Sequence, residues 1–340
     1  ICWEIYECPG SGRILQILST NKYTQTNKMF SSSLRAVANR NFSTTAVAQI
    51  KKIGVVGMGS MGHGIVQLTA QSGMEVVGID RDQDVIDKSM NAIHGSLDKL
   101  QSKGKLTEEV VAAARANITT STDIGAAAED CDLIIEAIVE HLPTKLDFYT
   151  SLGSMTKAGQ ILASNTSSFP ITDMAVASGR PEDVCGLHYF NPVQIMKLVE
   201  VVRTEHTSQA TVDAVTAYVE KTGKVGVPCG DTPGFIVNRL LVPYIVQGVA
   251  MVARGDAKAD DIDLAMRLGA GYPMGPITLS DYVGNDINLA VMKGWVERFP
   301  DDPAFQAPEA MVLLEEMVAE GLLGRKTGQG FFKWDGNKRV

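Results

Sequence analysis

Residues 52–62 read Lys-Ile-Gly-Val-Val-Gly-Met-Gly-Ser-Met-Gly. The first six form a short apolar run, rich in β-branched side chains and closed by glycine. That is how a strand buried on both faces reads. Gly57, Gly59 and Gly62 then stand in the spacing G-x-G-x-x-G. A helix is predicted from about Ser60 to Ser72, with Gly73 placed to end it. Strand, glycine loop and helix in this order build a phosphate site. The first glycine permits a tight turn, the second lets backbone approach a pyrophosphate, and the third brings helix and strand together. Ser60 and Met61 lie at the helix start, where N–H groups lack helical partners and the dipole is positive.

Working outward, residues 75–80 read as the second strand, and Asp80 falls eighteen residues after Gly62. A carboxylate at that strand end can accept both ribose hydroxyls of NAD and repels a 2′-phosphate. NAD is therefore the expected cofactor, although Arg81 alone would suit NADP. The competing reading is a glycine turn and a strand-end acid that hold nothing. Further strands are expected at 132–138, 160–165, 184–190 and 197–202, with a long helix over 84–102. Strands alternating with helices predict a parallel sheet. Asn165 ends one of these strands, where ligands of open α/β sheets bind. Pro228, Gly230, Pro233 and Gly234 then punctuate the chain. Beyond them the periodicity is helical, over 235–253, 260–268, 285–298 and 309–320. The expected division is a targeting segment at 1–50, a nucleotide-binding domain at 51–229 and a helical domain at 230–340.

Composition narrows the class. Of 340 residues, 45% are hydrophobic and 21% charged, as in ordinary folded chains. No apolar run approaches the ~20 residues of a membrane span. Lys and Arg number 31 against 39 Asp and Glu, a net charge of −8, which argues against a nucleic-acid coat. The five cysteines, at 2, 8, 131, 185 and 229, show no CxxC pair. They predict reduced thiols and no metal site. Residues 29–49 carry Arg35 and Arg40, four Ser, two Thr and no acidic residue. Leu34, Val37 and Phe42 can share one helical face. This is the composition of a mitochondrial presequence, with cleavage expected after Phe42. Residues 1–28 read as upstream sequence. Residues 1–42 hold a net charge of +3, which leaves −11 for the rest.

His188 ends a strand in GLHYFNP, and Glu200 lies within the apolar KLVEVV. A carboxylate there rarely stays buried without a partner. An imidazole across the turn would serve, and a His–Glu pair is what a general base needs. A structural histidine beside a strand-edge glutamate reads equally well. Ser96, Lys99 and Lys103 share one helix face, either a cationic stripe for phosphates or a solvated lysine face. Asn238 is a polar residue in an apolar helical stretch. It needs a buried partner or a ligand.

These residues bring a family into view. GMGSMG (57–62), EAIVE (136–140), ASNTSS (163–168), GLHYFNPV (186–193), MKLVEVV (196–202), DTPGFIVNRLLVPY (231–244), LGAGYPMGP (268–276) and GRKTGQGFF (324–332) closely resemble the short-chain L-3-hydroxyacyl-CoA dehydrogenases. The resemblance spans about Lys51 to Lys333. It implies a Rossmann-like NAD-binding domain followed by an all-α domain that makes a homodimer. It implies NAD-dependent oxidation of L-3-hydroxyacyl-CoA in fatty acid β-oxidation, in the mitochondrial matrix. His188 matches the catalytic base and Glu200 its partner. Ser167 and Asn238 match residues around the reacting oxygen. Glu140, Lys145, Asn191 and Lys326 match cofactor positions, and Ser96, Lys103 and Ser167 match acyl-CoA contacts. Rival readings are a 3-hydroxyisobutyrate-type dehydrogenase, a gulonate-type or crystallin-like relative, and a non-enzymatic NAD-binding protein. The HYFNP histidine and its Glu argue against the first, and the intact His188, Glu200, Ser167 and Asn238 weigh against the last.

Overall fold

The computed structural model describes residues 50–340. The expected targeting segment lies outside the described residues apart from Ile50, as do Cys2 and Cys8. Eight strands form one sheet: β1 (Lys52–Val56), β2 (Glu75–Ile79), β3 (Ile118–Ser121), β4 (Leu133–Glu136), β5 (Ile161–Ser164), β6 (Val184–Tyr189), β7 (Leu198–Arg203) and β8 (Val225–Gly230). Their order is β3-β2-β1-β4-β5-β6-β7-β8. From β3 to β6 every pairing is parallel. β7 then runs antiparallel to β6, and β8 runs parallel to β7. Alternation of strands and helices predicts the parallel part, and the last two expected strands, 184–190 and 197–202, are joined by a turn. The link of residues 190–197, with its cis Asn191–Pro192 bond, is too short for a helical crossover. A hairpin is the outcome, and it sets His188 directly opposite Glu200 in the register.

Helices α1 (Gly62–Gln71), α2 (Gln83–Ser102), α3 (Glu108–Ala116), α4 (Gly125–Ala128), α5 (Leu142–Met155), α6 (Ile171–Ala177) and α7 (Gln209–Lys221) accompany this sheet. Neighbouring strand residues divide between two apolar clusters. Val55, Leu133 and Val201 join one, while Val56, Ile134 and Val202 join the other. The sheet is thus covered on both faces, which is why its strands read as continuous apolar runs. Side-chain caps start several helices: Asp82 accepts from the Asp84 amide (2.9 Å), and Ser208 from Thr211 (3.1 Å).

The second part of the chain is helical: α8 (Val237–Arg254), α9 (Ala259–Gly269), α10 (Pro276–Val283), α11 (Asn285–Arg298) and α12 (Pro308–Ala319). Ile245, Val249, Ile277, Met292, Trp295, Phe305 and Leu314 form its core. Buried Asp263 caps α10 through the amides of Ile277 (2.8 Å) and Thr278 (2.9 Å). The joint at residues 231–236 is pinned to the sheet domain. Asp231 caps α6 at Ile171 (2.9 Å) and Thr172 (2.7 Å), and Arg298 reaches Asp173 at 2.8 Å.

Candidate active site

The glycine loop is built by exclusion. At Gly57, with φ +95°, a Cβ would stand 2.4 Å from the Ala137 carbonyl oxygen; at Gly62 it would stand 1.7 Å from that of Gly57. Both positions are closed to any side chain. Gly59 differs: a Cβ there would meet no protein atom within 4 Å. That open space faces a cleft of about 1150 Å³ whose wall includes Gly57, Gly59, Ser60 and Met61. The loop fits a dinucleotide, because its middle glycine guards room that no protein group occupies. Asp80 also lines the cleft. Its Oδ2 accepts from the Met58 amide (2.8 Å) and its Oδ1 from the Asp82 amide (3.2 Å), so the carboxylate is held at the strand end.

The same cleft is lined by Asn165, Ser167, His188, Phe190 and Asn191. Asn165 Oδ1 accepts the Tyr189 amide at 2.9 Å, tying β5 to the strand that carries His188. His188 Nδ1 and Glu200 Oε2 are 2.6 Å apart, with His188 5% and Glu200 0% exposed. Glu200 Oε1 accepts the amides of Ile236 (3.0 Å) and Val237 (2.8 Å), at the start of α8. Burial pushes the Glu200 carboxyl up. The His188 hydrogen bond, the Val237 amide, the His188 charge and the Ile236 amide outweigh it, so the carboxyl is held below its ordinary value. With Nδ1–H donating to Glu200, the lone pair sits on Nε2. Phe190 and Phe235 pack beside the ring, at 4.5 and 5.5 Å between centroids. Phe235 has φ +53°, a costly backbone for a bulky residue, and it follows Gly234 at φ +74°.

A charged network adjoins these residues. Lys145 is 1% exposed and lines the cleft. Its Nζ reaches Glu136 at 2.6 Å and Glu140 at 3.1 Å. Glu136, 0% exposed, also accepts from Ser164 Oγ (2.6 Å) and the Ile138 amide (2.9 Å). Glu140 accepts from Thr166 Oγ1 (2.5 Å) and the Ser167 amide (3.2 Å). Sequence reasoning missed Glu136 and Phe235. The argument that singled out Glu200, a carboxylate in an apolar strand, applies equally to Glu136 in LIIE.

Four positions expected at the site lie off the cleft wall. Asn238, half-buried, follows Val237 in the first turn of α8. Lys326 sits in the helical part, paired with Asp286 at 2.5 Å. Ser96 accepts from the buried Gln67 Nε2 at 3.0 Å. Lys103 is exposed and follows α2 immediately, instead of lying within it. Among the described residues no group of three or more His, Cys, Asp or Glu is placed to hold a metal ion. Cys131, Cys185 and Cys229 are free thiols, pushed up to about 11, 12 and 12 chiefly by burial.

A mostly parallel sheet with a glycine loop and strand-end acid, and a cleft-lining histidine backed by a buried glutamate, define an NAD-dependent oxidoreductase. The chain belongs to the 3-hydroxyacyl-CoA dehydrogenase family. The family's NAD binding domain matches residues 52–232, and its C-terminal domain matches residues 234–334. The mitochondrial hydroxyacyl-coenzyme A dehydrogenase of Sus scrofa is 45% identical over 308 residues, covering 88% of this chain and 97% of that protein. A probable 3-hydroxybutyryl-CoA dehydrogenase of Deinococcus radiodurans is 46% identical over 285 residues, covering 83% and 100%. Among solved structures, the (S)-3-hydroxybutyryl-CoA dehydrogenase of Ralstonia eutropha superposes with a TM-score of 0.80 at 38% identity, over 84% of this chain and 100% of that one.

Proposed function

We propose that this chain oxidises the 3-hydroxyl of L-3-hydroxyacyl-CoA to the 3-oxo group, reversibly, in fatty acid β-oxidation. The observation that carries the reading is the buried 2.6 Å His188–Glu200 contact at the wall of the dinucleotide cleft. When bound, NAD⁺ supplies the acceptor for the hydride that leaves C3. Gly57, Gly59, Ser60, Met61, Gly62 and Asp80 hold its phosphates and adenosine ribose. Glu140, Lys145, Asn165 and Asn191 hold its reactive half, and Lys326 approaches from the helical domain. His188 Nε2 removes the hydroxyl proton, and Glu200 stabilises the imidazolium that results. Ser167, on the cleft wall, orients the substrate oxygen, and Asn238 is its second partner. Ser96 and Lys103, on and beside α2, receive the coenzyme A end of the substrate.

Two further parts of the proposal concern assembly and place. The helical domain exposes Leu240 (70%), Leu264 (51%), Leu268 (77%) and Tyr272 (43%), apolar surface of the kind a homodimer buries. Relatives named as mitochondrial, together with the basic, acid-free stretch at 29–49, support a mitochondrial matrix enzyme. The test of function is direct. Purified protein should consume NADH with acetoacetyl-CoA and form NADH from NAD⁺ with L-3-hydroxybutyryl-CoA. It should leave 3-hydroxyisobutyrate untouched. Turnover of 3-hydroxyisobutyrate without turnover of the CoA esters would overturn the proposal.

A further inference from the structure

Glu136, Lys145 and Glu140 form a line of alternating charge, with Lys145 and Glu140 on the cleft wall and Glu136 buried behind them. Two carboxylates and one ammonium leave a net charge of −1. The line is fixed: Lys145 and Glu136 are buried, and each carboxylate carries further hydrogen bonds from Ser164, Ile138, Thr166 and Ser167. A bare buried lysine needs one carboxylate for neutrality. This one has two. The surplus charge sits where β4, β5 and α5 meet, next to Ser167 and on the same wall as His188.

We infer that this triad sets the balance between oxidised and reduced cofactor. The ring of NAD⁺ is cationic and that of NADH is neutral, so a fixed net −1 favours the oxidised form in the ground state. Glu136 touches neither cofactor nor substrate in this scheme. It is a positioning residue that fixes the Lys145 ammonium and supplies half of the negative charge. The inference rests on the proposed placement of the reactive ring near His188. A unit charge felt across roughly 10 Å at an effective dielectric constant near 20 changes an equilibrium by about tenfold.

The experiment measures dissociation constants of NAD⁺, NADH and ADP-ribose by titration calorimetry, on unmodified protein and three variants. Glu136→Gln and Glu140→Gln each bring the triad to neutrality. Each should weaken NAD⁺ relative to NADH by about tenfold, since both remove one unit charge. ADP-ribose, which lacks the ring, should change far less than NAD⁺. Glu136→Gln/Lys145→Met restores a net −1 without the ammonium. It should recover the NAD⁺ preference even where both affinities fall. The Glu140 side chain is 41% exposed, so Glu140→Gln gives the measurement even if the buried substitution prevents folding. An unchanged NAD⁺/NADH ratio in folded Glu140→Gln overturns the inference, as does a double variant that stays at the shifted ratio. An ADP-ribose loss equal to the NAD⁺ loss overturns the ring placement instead.

Discussion

Replacing Glu200 by Gln tests the reaction scheme at its most specific point. The side chain keeps its shape, but its two ends stop being equivalent. Oε1 of Glu200 accepts two backbone amides, from Ile236 and Val237. The glutamine oxygen must take that place, because an NH₂ group facing two N–H donors would leave all three unpaired. The NH₂ is then turned on His188 Nδ1, 2.6 Å away in the unmodified pair. Nδ1 must now accept, so the ring proton moves to Nε2. The base is lost while the fold is kept. General-base catalysis contributes ~10²–10⁴-fold, and tautomer inversion in a triad costs about 10⁴, so kcat should fall by about 10³–10⁴. The KM for NADH should stay nearly constant, since the lost interaction is with the transition state. Steady-state oxidation of L-3-hydroxybutyryl-CoA with NAD⁺ measures kcat, and reduction of acetoacetyl-CoA gives the KM for NADH. The pH dependence carries a second check. The Glu200 carboxyl is held below its ordinary 4.5, so its contribution to stability is complete above that pH. That contribution is lost as pH falls through the lower, folded value. The Tm gap between unmodified and Glu200→Gln protein should therefore close in acid. Near-normal kcat in a folded Glu200→Gln protein would refute the assignment of His188 as base.

Three other substitutions separate parts of the structure. Gly59→Ala places its Cβ in open space and should leave Tm unchanged while raising the Kd for NADH; Gly62→Ala drives a Cβ against the Gly57 carbonyl and should lower Tm outright. Equal losses of Tm in the two variants, measured by calorimetry, would contradict the reading of Gly59 as a ligand-facing position. Leu268→Glu puts a charge on a side chain that is 77% exposed in the single chain. Light scattering should show dimers of unmodified protein and monomers of the variant; a monomeric unmodified protein would sink the proposed dimer.

What the sequence made legible follows from where the physical signal is local. β1, the glycine loop and α1 are adjacent in the chain, and each constrains the next, so KIGVVGMGSMG carries its own structure. β4 and β5 were readable because burial on both faces leaves runs that are apolar except for Glu136 and Ser164 at their ends. β3 and β8 were not. Thr119 and Thr120 of β3 are exposed, and β8 is an edge strand with Pro228 inside it, so both read as linkers. α3, with only Val111 and Ala114 buried among its alanines, gave too little periodicity to register, whereas α7 buries Thr211, Ala214, Val215, Tyr218 and Val219 at helical spacing and was legible but missed. At the site, His188 and Glu200 stood out because each is chemically out of place in an apolar strand. Their pairing was one of two readings until the hairpin set them in register. The amides of Ile236 and Val237 carry no side-chain signal, and the positive φ of Phe235 contradicts its residue type. Neither could be anticipated from composition.

Those two features bear on how the two parts of the chain cooperate. Glu200 divides its oxygens: Oε2 serves His188 on β6, and Oε1 serves the first amides of α8. The His188–Glu200 pair therefore belongs to neither the sheet nor the helices alone. Seating α8 supplies two donors and the positive end of a long helix to a carboxylate that burial otherwise disfavours. Gly234 and Phe235 are bent into left-handed conformations to aim those amides, and Phe235 uses the bend to pack its ring beside His188. The backbone cost at Phe235 is repaid by Glu200 remaining ionised. An ionised Glu200 in turn fixes the tautomer that leaves Nε2 free. Any change that unseats α8, however far from the cleft, acts on His188 through this one carboxylate.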